Sequence, residues 1–168
     1  METEDLYKTD CIRTYTGKYV NVFEPTEDMI CIEDIAHALS NQCRFAGHTQ
    51  SFHSVAEHCI TCAVLAPPQL ALQALMHDAS EAYFVDIPTP IKNHMPEYKV
   101  IEHKLMCVIA NKFGFDWPMD DITNLIDKQV LQLEWHHHVL NDLPTVKLTF
   151  THIDLENKFL EVFRKLTE

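Results

Sequence analysis

From residue 32 onwards the chain is a series of helical segments separated by proline and glycine, which restricts it to an all-α architecture. The prolines at 67–68 separate two segments, and Gly114 ends another, since glycine readily adopts the left-handed conformation that closes a helix. The predicted helices are a first one from about residue 33, then 50–66, 68–83, 97–113, one starting near 118, and 152–166. We expect these helices to form one bundle.

Ahead of the helices, residues 14–23 alternate β-forming side chains about Gly17, which predicts a small hairpin or extended arm. The chain has 168 residues, of which 46% are hydrophobic, enough to bury a core in one domain. We therefore predict a single domain over residues 1–168: a compact helical bundle with a short N-terminal extended element.

The stretch His77-Asp78-Ala79-Ser80-Glu81 combines two kinds of metal ligand with a spare carboxylate. On a helix, Glu81 lies over the same face as His77 and Asp78, because it follows them by four and three residues. Imidazole and carboxylate together suit a divalent first-row ion, and a carboxylate one turn away could position or deprotonate a water. The stretch therefore predicts a hydrolytic metal site.

Two further segments carry candidates for the remaining ligands. Upstream, His58 lies in a segment with helical apolar spacing; downstream, Asp127 lies among apolar residues, with Glu134 two turns later on the same side. Together with His77 and Asp78 they would supply two nitrogens and two oxygens from three helices, leaving coordination positions for water and substrate. The alternatives are a core histidine for His58 and a solvated helix acid for Asp127.

This order, a His, then His-Asp, then a distant Asp, resembles the HD-domain metal-dependent phosphohydrolases. Within that superfamily, His77–Glu81 followed by Asp86-Ile87-Pro88-Thr89-Pro90-Ile91-Lys92 resembles the bacterial 5'-deoxynucleotidase branch. Residues 44–49 and 53–58 are similar to small phage and bacterial relatives, among them phage dATP triphosphohydrolases. The resemblance covers roughly residues 12–140 and implies an HD-type helical bundle that forms a homo-oligomer.

The resemblance also implies roles for individual residues. Glu81 matches a residue that orients or activates the attacking water, and Asp86 matches an acidic position near the leaving group or a further cation. A divalent ion (Mn, Co, Zn, Fe or Mg, with a second ion left open) would be held by His58, His77, Asp78 and Asp127.

The substrate side of the site follows from the same resemblance. Arg44 matches an arginine that holds phosphate or sugar, and catalysis would depend on it together with the two acids. Phe45 replaces the tryptophan typical of the 5'-deoxynucleotidase at the next position, which bears on specificity more than on chemistry. By residue type and not by the resemblance, His48 is predicted as a phosphate donor or a supporting residue, and Lys92 as a cation for outer phosphates or only a cap of its loop.

The resemblance thus implies metal-dependent hydrolysis of 2'-deoxynucleotide phosphate esters, with a 5'-monophosphate or a triphosphate such as dATP as substrate. A cyclic nucleotide or cyclic dinucleotide phosphodiesterase is a second interpretation, because the same superfamily contains such enzymes. A third is a non-catalytic helical binding module that keeps a metal for stability. The acids Glu81 and Asp86 argue against the third, since a structural site needs neither.

The composition restricts partners and compartment. A formal charge of −12 argues against a nucleic-acid polymer as partner, but not against a small nucleotide whose phosphate a metal neutralises. The N-terminal residues 1–5 are acidic and no segment resembles a transmembrane helix, so we predict a cytoplasmic protein without membrane contact.

Two motifs receive an ordinary structural interpretation. The six cysteines lie in apolar surroundings, and Cys59 and Cys62 form a CxxC pair without a second pair at zinc-ribbon spacing, which indicates reduced thiols. A contact of Cys62 with a metal beside His58 is a minor alternative. The run 136–138 is three consecutive histidines, which point in different directions on a helix and are interpreted as surface residues.

Overall fold

The structure, a computed structural model, describes residues 8–143 and 150–168, and most of them are helical. The elements are β1 (Cys11–Arg13), β2 (Tyr19–Asn21), α1 (Ile32–Asn41), α2 (Val55–Leu65), α3 (Ala71–Met76), α4 (Glu81–Phe84), α5 (Thr89–Lys92), α6 (Pro96–Phe113), α7 (Asp121–Glu134) and α8 (His152–Thr167). The predicted all-α bundle with a short N-terminal hairpin is confirmed. The acidic residues 1–5 lie outside the described residues.

The hairpin pairs β1 with β2 in antiparallel register, with Ile12 opposite Val20. Gly17 turns the chain between the strands with a φ of +88°, a left-handed conformation that favours glycine. Val20 is fully buried, so one side of the hairpin packs on the helical core.

Side chains from distant parts of the chain share one core. Helix α2 contacts α1, α3, α7 and α8, which makes it the central element. The core residues with no exposed surface include Leu39, Val55, Leu75, Leu105 and Phe159. Because α2 and α3 contribute to this core, the polar residues that they carry are held on a rigid support.

Capping groups define several helix ends, and the predicted helix end at Gly114 is confirmed. Ser54 accepts a hydrogen bond from the backbone N–H of Glu57, and Asp120 accepts one from Ile122, so α2 and α7 begin directly after these residues. Gly114 closes α6 with a φ of +75°. Helix α2 therefore starts at Val55 and not near residue 50, and the segment between α4 and α6 includes the single turn α5.

The predicted continuous helix over 68–83 was wrong. A 3-10 turn covers Pro68–Leu70, α3 ends at Met76, and residues 77–80 form tight turns before α4. The Nδ1 atom of His77 lies 2.7 Å from the carbonyl oxygen of Ala74, the oxygen that would accept from Asp78 N–H in a continuing helix. The His77 side chain thus replaces a helical hydrogen bond and releases the backbone into the turns.

Two sequence-based expectations concern the whole chain. All six cysteines have free thiols, as predicted. Within residues 8–143 and 150–168, none of the helices has both the length and the hydropathy needed to cross a lipid bilayer.

Candidate metal centre

Four polar side chains from three segments converge inside the bundle. His58 projects from α2, His77 and Asp78 lie in the turns after α3, and Asp127 projects from α7. The Nε2 atom of His58 lies 3.2 Å from Nε2 of His77 and 3.1 Å from Oδ1 of Asp127. The Nε2 atom of His77 lies 3.3 Å from Oδ2 of Asp78, and the same oxygen lies 3.8 Å from Nε2 of His58.

In His58 and His77 the Nδ1 atom makes a hydrogen bond away from the centre. That bond determines whether Nε2, which faces the centre, can act as an acceptor. Nδ1 of His77 lies 2.7 Å from the Ala74 carbonyl oxygen, which can only accept, so Nδ1 carries the proton. Nδ1 of His58 likewise donates to Oε1 of Glu134 at 2.9 Å. When both rings are neutral, these hydrogen bonds direct their Nε2 lone pairs into the centre, as in metal-ligating histidines.

Two nitrogen lone pairs at 3.2 Å repel each other unless a proton or a cation lies between them. Burial alone would lower the pKa of both histidines, but Asp127 beside His58, and Asp78 beside His77, raise the pKa of each well above its ordinary value. The pKa of each carboxyl is correspondingly lowered by the imidazoles, which outweigh the effect of burial. The centre thus attracts positive charge, and its donor set fits a divalent cation.

Thiols lie near the same centre. Groups of side chains that could hold a metal ion include His58 with Cys62 and His77, and Cys59 with His77 and Asp78. The Sγ atom of Cys62 lies 3.6 Å from Nε2 of His58. Burial raises the pKa of Cys59 well above its usual range, so this thiol stays protonated and is a poor ligand.

Glu134 is the residue whose importance the sequence did not reveal. Its carboxylate is buried, accepts from His58, and lies 3.0 Å from Nε2 of His53 and 3.0 Å from Nε of Arg44. The last two contacts are close in distance but lack the angles of hydrogen bonds, so they act as ion-pair contacts. His53 also contacts Glu57, with 3.0 Å between Nδ1 and Oε2. The only sequence signal was the spacing that places Glu134 two turns after Asp127.

Arg44 lies beside the centre, where it contacts carboxylates of this chain. Besides Glu134, its Nη1 atom lies 3.6 Å from Oδ2 of Asp78. The chain turns sharply directly after it, because Phe45 and Ala46 have φ values of 55° and 52°. Residues other than glycine rarely adopt this left-handed conformation, and such strain concentrates at functional sites.

The predicted acids lie on the neighbouring turn. Glu81 is buried: Oε1 lies 3.3 Å from Nζ of Lys92, whereas Oε2 has no hydrogen-bond partner. Burial, together with Asp78 and Asp86, raises the pKa of Glu81 well above its ordinary value. Burial also raises the pKa of Asp86, although Arg44 opposes this effect. Lys92 additionally bonds Glu102 at 2.9 Å.

Gln42 connects these acids to α1. Its amide nitrogen donates to the backbone oxygen of Glu81 at 2.9 Å, and its amide oxygen accepts from the backbone N–H of Asp86 at 3.2 Å. Val85, between them, has a φ of 70°, which is strained for a β-branched residue. The backbone is therefore strained immediately before Asp86, as it is after Arg44.

The structure places the remaining predicted residues less centrally. The half-buried Phe45 ring packs edge-on against Trp135, with centroids 5.6 Å apart. His48 is exposed at the end of the turn, and among the described residues no hydrogen bond or ion pair joins its side chain to the four converging side chains. The histidines 136–138 lie in a π-helical turn and are partly exposed, and His138 stacks on His53 with ring centroids 4.1 Å apart.

The chain is similar to three known proteins, while no family model matches it. It is 44% identical to the uncharacterized protein YfdR of Escherichia coli over 131 residues, 78% of this chain and 74% of YfdR. It is 34% identical to an uncharacterized protein of Rhodobacter capsulatus over 112 residues, 61% of this chain and 57% of that protein. A stretch of 61 residues is 41% identical to a 5'-deoxynucleotidase of Vibrio parahaemolyticus, covering 32% of this chain and 31% of that protein.

Proposed function

This chain belongs to the family of the Escherichia coli protein YfdR, and we propose that it is a metal-dependent phosphohydrolase of the HD-domain type. Its proposed substrates are 2'-deoxynucleotides, either 5'-monophosphates or triphosphates. The observation that carries the proposal is the pair of Nε2 atoms of His58 and His77, 3.2 Å apart beside the carboxylates of Asp78 and Asp127. The partial similarity to a 5'-deoxynucleotidase supports the choice of substrate.

The proposed ligands are His58, His77, Asp78 and Asp127. A divalent ion, when bound, supplies a Lewis acid that polarises a phosphoryl oxygen and lowers the pKa of a water. The oxygens of Asp78 and Asp127 lie 3.1 to 3.8 Å from the two Nε2 atoms, so the nitrogen and oxygen donors face one point. Asp78 and Asp127 remain partly exposed, which supports a site open to substrate on that side.

Glu81 is the proposed general base. Its Oε2 atom is buried without a partner, so it is available to accept a proton from the attacking water. The neighbouring ammonium of Lys92 holds the other oxygen and so orients the carboxyl. Asp86 is the proposed acid near the leaving 5' oxygen, a role that rests on its position in the resemblance, because burial raises the pKa of both acids and does not distinguish them.

Arg44 and Lys92 are the proposed cations beside the phosphate. Burial alone would lower the pKa of both groups, but nearby carboxylates outweigh it. Glu134 and Asp78 raise the pKa of Arg44, and Glu81 raises that of Lys92, so both side chains are charged at neutral pH. Phosphate oxygens close to Asp78 would lie within reach of the Arg44 guanidinium, which binds such groups in a fork. We keep Phe45 and His48 as contacts to the sugar and outer phosphate.

The proposal is tested by assaying the four deoxynucleoside mono- and triphosphates, their ribonucleotide counterparts and cyclic dinucleotides, each with Mn²⁺, Co²⁺, Mg²⁺ or Zn²⁺. Release of a deoxynucleoside with phosphate or intact triphosphate is the expected result. In this assay Asp78→Ala and Asp127→Asn should abolish turnover while circular dichroism stays helical. The matched control is Asp121→Asn, an exposed carboxylate at the start of the same helix as Asp127, which should keep full activity.

Three outcomes would contradict the proposal. Turnover that persists in Asp78→Ala after removal of metal would exclude the metal centre as the catalytic site. Tight metal binding without turnover of any substrate would indicate the non-catalytic module, and hydrolysis of cyclic dinucleotides alone would indicate the phosphodiesterase.

A further inference from the structure

A cavity of about 180 Å³ adjoins the metal centre, and its wall includes His77 and Asp78. The opposite wall comes from α6 and the segment that follows it. The residues there are the polar Lys99, Glu102 and His103 and the apolar Met106, Trp117 and Met119. None of these six was predicted to contact substrate.

The size and charge of this cavity suit a small neutral group. Cavities that hold a whole drug-sized ligand measure about 300 to 1,000 Å³, so this one can take only one moiety of a nucleotide. Lys92 in its wall is already bonded to Glu102 at 2.9 Å. The wall carries two carboxylates and two ammonium groups, so the cations proposed for a phosphate are the metal and Arg44 at the adjoining centre, with Lys92 at the border between the two.

The aromatic part of the wall is fixed in place. The indole N–H of Trp117 donates to Nδ1 of His103 at 3.1 Å. Because Nδ1 of His103 accepts, its Nε2 atom carries the proton; that atom lies 3.6 Å from Sγ of Cys107, a weak acceptor with which the edge of a base would compete.

We propose that this cavity binds the nucleobase of the substrate, with Trp117 as the stacking surface and His103 as a hydrogen-bond donor to the base edge. The inference rests on the proposed function, because it places the phosphate at the adjoining metal centre. Every nucleobase is a flat heteroaromatic ring, so each of them can stack on an indole ring with little dependence on which base it is. Such a site gives affinity for nucleotides in general, and His103 with Glu102 gives a preference among bases.

The test uses the fluorescence of Trp117. The chain has two tryptophans, so Trp135→Phe leaves Trp117 as the sole indole. In that background, added deoxynucleosides should change the emission with saturation, whereas 2-deoxyribose 5-phosphate and inorganic triphosphate should leave it unchanged. No response to any nucleoside, or an equal response to inorganic triphosphate, would overturn the inference.

Two variants add kinetic readouts. Trp117→Leu should weaken deoxynucleotide binding by roughly 10-fold or more, as loss of one base-stacking ring does, while turnover of 2-deoxyribose 5-phosphate stays constant. Since Trp117 also packs on the core, the exposed His103→Leu is a second variant that should fold normally and alter the ranking of the four bases. Unchanged binding and ranking in both variants would refute the base site.

The outcomes separate this inference from the proposed function. If deoxynucleotides are hydrolysed but Trp117 neither responds to nucleosides nor affects KM, the cavity assignment alone fails. If neither deoxynucleotides nor 2-deoxyribose 5-phosphate is hydrolysed, the proposed phosphohydrolase activity fails, and nucleoside-dependent fluorescence then decides about the cavity on its own.

Discussion

Replacing Glu134 by Gln should weaken metal binding although Glu134 is not itself a proposed ligand. The carboxylate accepts from Nδ1 of His58 at 2.9 Å and so keeps the lone pair on Nε2. It also compensates Arg44, 3.0 Å away, and His53 at the same distance. Burial opposes its negative charge, but His53 and His58 outweigh burial and hold the pKa of Glu134 below its usual range. The native site therefore contains the anion.

The magnitude follows from the two contacts that the amide changes. An amide oxygen can still accept from His58, but it lacks the charge that raises the basicity of the ring. Such outer-shell partners contribute about 10- to 100-fold in metal affinity, or about 1.4 to 2.7 kcal/mol. The Arg44 charge also loses its nearest carboxylate, and breaking a buried ion pair costs about 3–5 kcal/mol of unfolding free energy. Asp78, 3.6 Å from Arg44, offsets part of that cost.

Metal affinity is measured by competition with a chelating indicator, and stability by urea unfolding of the metal-free protein. The matched control is Glu57→Gln, since Glu57 contacts the same His53 at 3.0 Å and is more exposed. The control should bind metal like the unsubstituted protein. Equal metal affinity of Glu134→Gln and the unsubstituted protein would refute the argument that this carboxylate orients His58.

Four further predictions concern the centre and the fold. The pKa values of His58 and His77 are raised, so protons compete with the metal ion for both rings. Metal affinity should therefore increase as pH rises above 6.5, and calorimetry in two buffers should detect proton release on metal binding. The same shifts stabilise the metal-free protein fully below pH 6.5, and this stability should be lost as pH rises through the native pKa values; a urea midpoint independent of pH would contradict it. Phe159→Ala should cost about 3–5 kcal/mol by urea unfolding, because the ring is fully buried, without changing metal affinity. Gly114→Ala should cost about 1–2 kcal/mol, since φ is +75°; as an added Cβ meets no atom within 4 Å, a much larger loss would contradict a purely backbone origin.

Much of the fold was predictable because its signals are local. The end of α6 at Gly114 and the extent of α8 follow from residues within a turn of each boundary. The break after Met76 was not predictable in this way. It depends on the ring orientation of His77, which bonds the Ala74 carbonyl while its other nitrogen faces His58, 19 residues away.

The candidate site, like the fold, was predictable only where its signals are local. Residue type and spacing nominated His58, His77, Asp78 and Asp127, and their assignment as ligands remains a proposal. The spacing on α7 placed Glu134 on the same side as Asp127, but it did not identify the residue that Glu134 contacts. Nothing local indicates that Glu134 meets His58 across 76 residues.

The sequence by itself determined the helices, most of their ends and the donor types available, because periodicity, caps and residue chemistry act over a few neighbouring positions. Only the tertiary structure decided which donors meet. The packing of α2 against α3 and α7 sets the distances between His58, His77 and Asp127. It also directs Arg44 towards Glu134 and Asp78. These contacts depend on how helices distant in sequence pack around one core, and no local pattern encodes that geometry.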